Sequence, residues 1–156
     1  MPRNRPGALR GAHRTTPGSR VREEPPPARI PGLSGRTSLA IHRAERLSPG
    51  RWFSPGATET ALRRYRAFLH PPGRRPRYPR ESYCAGCPGC ALDDVREARD
   101  ALAEILPLLP PRARAELQRT LTPLDHRYLR LTLPDPLATP TEPWWHRRLA
   151  SGVEGW

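Results

Sequence analysis

Lysine is absent from this chain, so all 27 basic residues are arginine. With alanine, proline and glycine abundant, that reads as the coding bias of a GC-rich genome. The net charge of +12 is therefore weaker evidence for phosphate contacts than it would otherwise be. Long apolar runs are also missing. Nothing approaches the ~18 residues of a membrane helix, and no apolar segment follows the N-terminal arginines as a secretory signal requires. A cytoplasmic protein with no membrane contact is the expectation.

Cysteine is scarce, at three residues, an odd number at tight spacing that argues against a disulfide framework. No Walker-type glycine loop, H-E-x-x-H or G-x-S-x-G occurs, so ordinary hydrolase or transferase chemistry has no support. The adjacent acids Asp93 and Asp94 sit at an expected helix start, which explains them better than acid–base chemistry.

What the chain has in plenty is proline, at 22 residues, joined near the N-terminus by most of the glycine. Residues 1–56 hold 9 Pro and 7 Gly but only 8 Leu, Ile, Val or Phe, with 11 Arg against 3 Glu. Such a segment buries too little to offset its ordering entropy, and the expectation is a disordered basic arm. Charge is uneven in the same sense. Residues 1–80 carry 18 Arg against 4 acids, and residues 81–156 carry 9 Arg against 11. A cationic 1–80 followed by a slightly acidic 81–156, with the foldable domain placed over 57–150, points towards a polyanion, either nucleic acid or an acidic protein partner.

Within 57–150 the pattern is helical. Leu62, Tyr65, Phe68 and Leu69 form a stripe over 57–69, with Ser54 and Pro55 placed to start the helix and the prolines after His70 to end it. Residues 91–109 carry a second stripe through Leu92, Val95, Ala98, Leu102 and Ile105, which Pro107 should kink or end. A third helix is expected from Arg112 to Leu121, then a break at Thr122-Pro123 and a restart capped by Thr122 and Asp125. The second and third stripes should face each other as an antiparallel hairpin. The expected fold class is mostly α, a small helical hairpin domain carrying a Cys-rich metal turn.

That turn is 81-ESYCAGCPGC-90. Cys84, Cys87 and Cys90 are spaced so that sulfurs on one tight turn can reach a single metal, and Gly86, Pro88 and Gly89 permit the turn. Cys90, at the expected start of the second helix, would have its thiolate favoured by the helix dipole. Three ligands for structural zinc result, and an intramolecular fourth has to be non-cysteine. His126 is the first choice, because an antiparallel return would bring it back towards the cysteines; His70, His146 and Asp94 follow. His126 reads equally well as an ordinary helix-surface residue. An iron–sulfur cluster is the alternative cofactor: the first three spacings of C-x2-C-x2-C-x3-C-P are present, but Asp94 and Val95 stand where Cys and Pro are needed. The same cysteines would also suit a thiol redox role, and a structural interaction protein without metal fits the pattern as well.

Two flanks complete the pattern. Arg74, Arg75, Arg77, Tyr78 and Arg80 interleave cations with a ring, as a nucleic-acid contact would, although a proline-stiffened spacer looks the same. The segment 144-WWHRR-148 reads first as a latch over a small core, with one tryptophan expected inside and the other out. The leading functional expectation is a non-enzymatic binding or regulatory module with a structural zinc site.

Overall fold

A computed structural model of the protein describes residues 28–48, 54–70, 75–84 and 86–151. Among the described residues five α-helices follow one another: α1 (Gly35–Leu47), α2 (Ala57–Leu69), the single turn α3 (Pro88–Ala91), α4 (Val95–Ile105) and α5 (Pro111–Leu131). A 3-10 turn, Leu106–Leu108, joins α4 to α5. There is no strand among the described residues, only isolated bridges between Arg80 and Ser151 and between Pro134 and Arg148. None of the described helices is long and apolar enough to cross a membrane.

The expected boundaries hold for α2 and shift elsewhere. The second helix splits, because Asp94 turns its carboxylate onto the Arg96 amide at 2.9 Å and becomes the N-cap of α4. Its C-terminal end obeys Pro107, with α-helical geometry stopping at Ile105. Pro123, in contrast, does not interrupt α5. It lies on the exposed side, where water can take up the carbonyl it leaves unpaired. Leu117, Leu121 and Tyr128 stay buried on the opposite side and hold the helix together. Thr122 does not cap a new helix; its hydroxyl donates back to the Gln118 carbonyl at 2.9 Å.

The larger correction concerns the N-terminal arm. Residues 1–27 lie outside the described residues, but 28–48 are folded, and composition averaged over 56 positions hides α1. Three apolar side chains suffice to seat it, because Ile30, Leu33 and Ile41 are all in the core. Ser34 caps α1, and Glu116 of α5 accepts from the Ser34 amide at 2.6 Å, the Ser34 hydroxyl at 2.8 Å and the Thr37 hydroxyl at 2.6 Å. The chain enters through Gly32 at φ 83°, where a Cβ would meet the Arg66 guanidinium that donates to the Pro31 carbonyl at 2.8 Å.

α1 then organises α2. The buried Glu45 carboxylate accepts from the Gly56 amide at 2.9 Å and the Thr58 amide at 2.8 Å, capping a helix whose own N-cap has no side chain. Gly56 supplies the φ of 85° needed there, so Ser54 and Pro55 precede the helix rather than begin it.

Packing also departs from the expected hairpin. The most extensive helix contact is that of α2 with α4, and the small side chains Ala61, Ala98 and Ala101 on these helices are buried. α4 meets α5 through a bidentate ion pair, Arg99 to Asp125 at 2.9 Å on both arms, and Tyr65 of α2 donates to the same carboxylate at 2.9 Å.

The C-terminal segment closes the structure as a latch. Tyr128 donates to the Trp145 carbonyl at 2.9 Å, Trp145 Nε1 to Asp100 at 2.8 Å, and Arg99 lies 4.5 Å from the Trp145 ring centre. Both tryptophans are half-buried, because the segment is a turn and not an extended strand. Arg148 reaches back to the Leu129 carbonyl at 2.9 Å and the Thr132 hydroxyl at 2.8 Å, finishing the end of α5.

Replacing Glu45 by Ala leaves two helix-start amides without their acceptor. The domain is expected to lose at least about 2 kcal/mol in urea unfolding, whereas exposed Glu142→Ala stays within about 0.5 kcal/mol.

Candidate functional site

The cysteine turn is held by one backbone bond at its entrance and by the Ser82 hydroxyl within it. Ser151 donates its amide to the Pro79 carbonyl at 2.7 Å, which ties the entering strand-like segment to the latch. Inside the turn, Ser82 Oγ lies 2.6 Å from the Cys90 carbonyl oxygen and 3.2 Å from that of Cys84, and accepts from the Cys84 amide at 3.3 Å. One hydroxyl therefore gathers the two ends of the cysteine segment.

Cys87 is the N-cap of α3, with Pro88 in the first helical position. Sequence reasoning assigns the helix start to Cys90, but Cys90 lies within α3 and the favoured anion position falls to Cys87. The Cys87 thiol is held below its ordinary range, chiefly by the Cys90 amide, then by the Cys90 thiol and the Gly89 amide. Cys90 is pushed up to about 11, first by its thiol hydrogen bond to Cys87, then by the Cys87 charge, with burial and Cys84 adding less. All three cysteines are free and exposed. Among the described residues no three His, Cys, Asp or Glu side chains close into a metal-sized cage.

The candidate fourth ligands are elsewhere. Asp125 faces Arg99 and Tyr65, and His126, the next residue and ~100° further round the helix, is exposed. His70 is exposed at the end of α2. His146 is engaged by Asp100 at 2.7 Å, which raises its pKa above the usual imidazole value. Asp94 is buried, capping α4 and pairing with Arg96 at 2.7 Å. None of these is free beside the thiols.

The arginine flank divides in two. Arg77 is built into the fold: its amide donates to the Leu131 carbonyl at 2.6 Å and its guanidinium to the Phe68 carbonyl at 2.7 Å. Arg75, Tyr78 and Arg80 are exposed, and Arg74 lies outside the described residues. A shallow cavity of about 490 Å³ beside this flank is lined by Arg64, Arg77, Tyr78 and Arg80, with Asp93 paired to Arg64 at 2.6 Å.

Sequence reasoning misses a second cationic surface, where Arg36 and Arg43 of α1 face Arg112 and Arg119 of α5. The seven-residue spacing in each pair is a legible signal once α1 is recognised as a helix. In comparisons with known proteins, no family model, curated protein or solved structure matches the chain. The class that fold and site define is a small helical domain with an exposed three-thiol turn and arginine-bearing faces.

The thiol asymmetry has a direct readout in metal-free, reduced protein. Cys87 should be alkylated first, with a half-maximal rate below the ordinary thiol range, and Cys90 should react fully only as pH approaches about 11. Cys87→Ser removes the partner that raises Cys90, so the Cys90 profile should move to lower pH, as followed by peptide mass mapping.

Proposed function

We propose that the chain is a non-enzymatic binding or regulatory module. In it Cys84, Cys87 and Cys90 hold a structural zinc ion, while Arg75, Tyr78 and Arg80 contact nucleic acid or an acidic partner. The observation that carries this reading is the shaping of the turn. Ser82 gathers its ends, and two backbone amides already stabilise Cys87 as the thiolate that a soft cation requires. Three thiols are the donor chemistry that zinc takes, and the turn would have to close for them to share one ion. Because the sulfurs face solvent, the fourth position falls to water or to a side chain from a partner; His126 is exposed on α5 and is not grouped with the thiols.

Zinc would neutralise the mutual repulsion of the three thiolates and fix the adjacent flank, whose Pro79 carbonyl is already tied to Ser151. Titration with cobalt(II) tests the site. About one equivalent should bind, with intense thiolate-to-cobalt absorption that drops on Cys84→Ala. A brown chromophore in anaerobically purified protein would instead establish an iron–sulfur cluster. For the flank, Arg75→Ser with Arg80→Ser should lower the salt slope of oligonucleotide binding by about one unit per arginine lost.

A second reading is favoured by one observation, the opposite shifts of Cys87 and Cys90. The pair has the asymmetry of a dithiol that exchanges with a partner's disulfide. Cys87 would form the mixed disulfide and release one partner thiolate; Cys90 would then displace the second, leaving the chain's disulfide and two partner thiols. In that case Cys84→Ser keeps the exchange activity, and cobalt binding is absent.

A further inference from the structure

Between α1 and α5 lies an open groove of about 900 Å³, separate from the cysteine turn. Its floor is apolar, made by Leu39 and Ala40 of α1 and by Pro110, Pro111 and Ala113 at the start of α5. Leu39 is 41% exposed, a large apolar side chain left standing on an otherwise cationic surface. The rims are Arg36 and Arg43 on one side and Arg112 and Arg119 on the other, all exposed. In each pair the spacing is two helical turns, so both arginines fall on the same edge.

Among the described residues the one carboxylate in the lining, Glu116, is half-buried and hydrogen-bonded to the start of α1. It accepts from the Ser34 amide and hydroxyl and from the Thr37 hydroxyl. Those bonds, with Arg119 nearby, hold it ionised below the usual carboxylate range. The groove thus offers four guanidinium groups around a greasy floor, with that acid already committed to the fold.

We propose that this groove docks an acidic amphipathic helix of a partner protein, whose apolar stripe covers Leu39 and whose carboxylates pair with Arg36, Arg43, Arg112 and Arg119. The proposal narrows the acidic-partner class named above but does not depend on a metal at the cysteines. Charge and shape choose this occupant over the others. A nucleic-acid backbone would use the arginines but leave the apolar floor uncovered. A second copy docked about a two-fold axis would set arginine against arginine. The chain's own acidic pair Glu23-Glu24 is followed by three prolines, which oppose a helix. A helix laid in a groove satisfies both halves, with anchors at three- and four-residue spacing below and carboxylates on its flanks.

The test uses the full chain and a capped peptide of about 16 residues, with leucines at helical spacing and glutamates between them. A scrambled peptide of identical composition and a duplex DNA of about 12 base pairs serve as comparators. By fluorescence anisotropy at about 0.15 M salt, the amphipathic peptide should bind with Kd below about 100 µM and the scrambled one about tenfold more weakly. Leu39→Asp and Arg43→Glu should each weaken it about tenfold, while Arg130→Glu, outside the groove, leaves it unchanged. All three positions are exposed, so circular dichroism should be unaltered. Equal binding of the scrambled peptide, tighter binding of the DNA with the same mutational losses, or a peptide Kd above about 100 µM would overturn the proposal. Repeating the measurement on the Cys84→Ser, Cys87→Ser, Cys90→Ser variant lets the zinc reading fail without touching this one.

Discussion

One buried ion pair, Arg99 with Asp125, is the joint on which the helices turn. Its carboxylate is shared with the Tyr65 hydroxyl of α2, and its guanidinium faces the Trp145 ring of the latch. Arg99 Nη1 has no hydrogen-bond partner among the described residues and is left against aromatic faces. Taking such a pair out of water is expensive, so its value is less in net stability than in setting geometry. It fixes the rotation of α4 and α5 and thereby which residues of each helix meet the core. Burial and the Asp125 charge push the Tyr65 phenol far above its ordinary pKa, which favours its role as a donor to that carboxylate.

The same economy of charge runs through the molecule. Glu45 caps α2, Asp94 caps α4, Glu116 seats α1, Asp100 holds the latch and Asp125 completes the joint. Glu45, Asp94 and Glu116 serve amides at helix starts, while Asp100 and Asp125 accept from side chains of the latch and the core. Many arginines remain outside, so the surface is more cationic than the net charge implies. Two arginine-bearing faces follow from this one segregation: the flank beside the cysteines and the groove between α1 and α5.

The cysteine turn stands apart from that framework. It is attached through Ser151 and Pro79 and through the first turn of α4, but its sulfurs point away from the core. A site placed there can accept an ion or a partner without disturbing the packing of Tyr65, Leu102 and Leu117 below. The order Cys87 before Cys90 in acidity arises within the turn, from the Cys90 and Gly89 amides that lower Cys87 and from the thiol hydrogen bond and charge of Cys87 that raise Cys90.

Sequence alone determined the features that depend on neighbours along the chain. The α2 stripe, the stop at Pro107, the tight cysteine spacing and the latch character of the tryptophans were legible because period, proline and local turns act within a few residues. Only the tertiary structure decided the rest. α1 exists because Ile30, Leu33 and Ile41 find a distant core and Glu116 finds Ser34 across some eighty residues, contacts that no composition window contains. α5 runs through Pro123 because its buried face outweighs one lost hydrogen bond. His126 faces solvent because Asp125, one residue earlier, is claimed by Arg99 and Tyr65. Local order can be read from the chain, but which face of a helix turns inward is settled by whatever the fold brings against it.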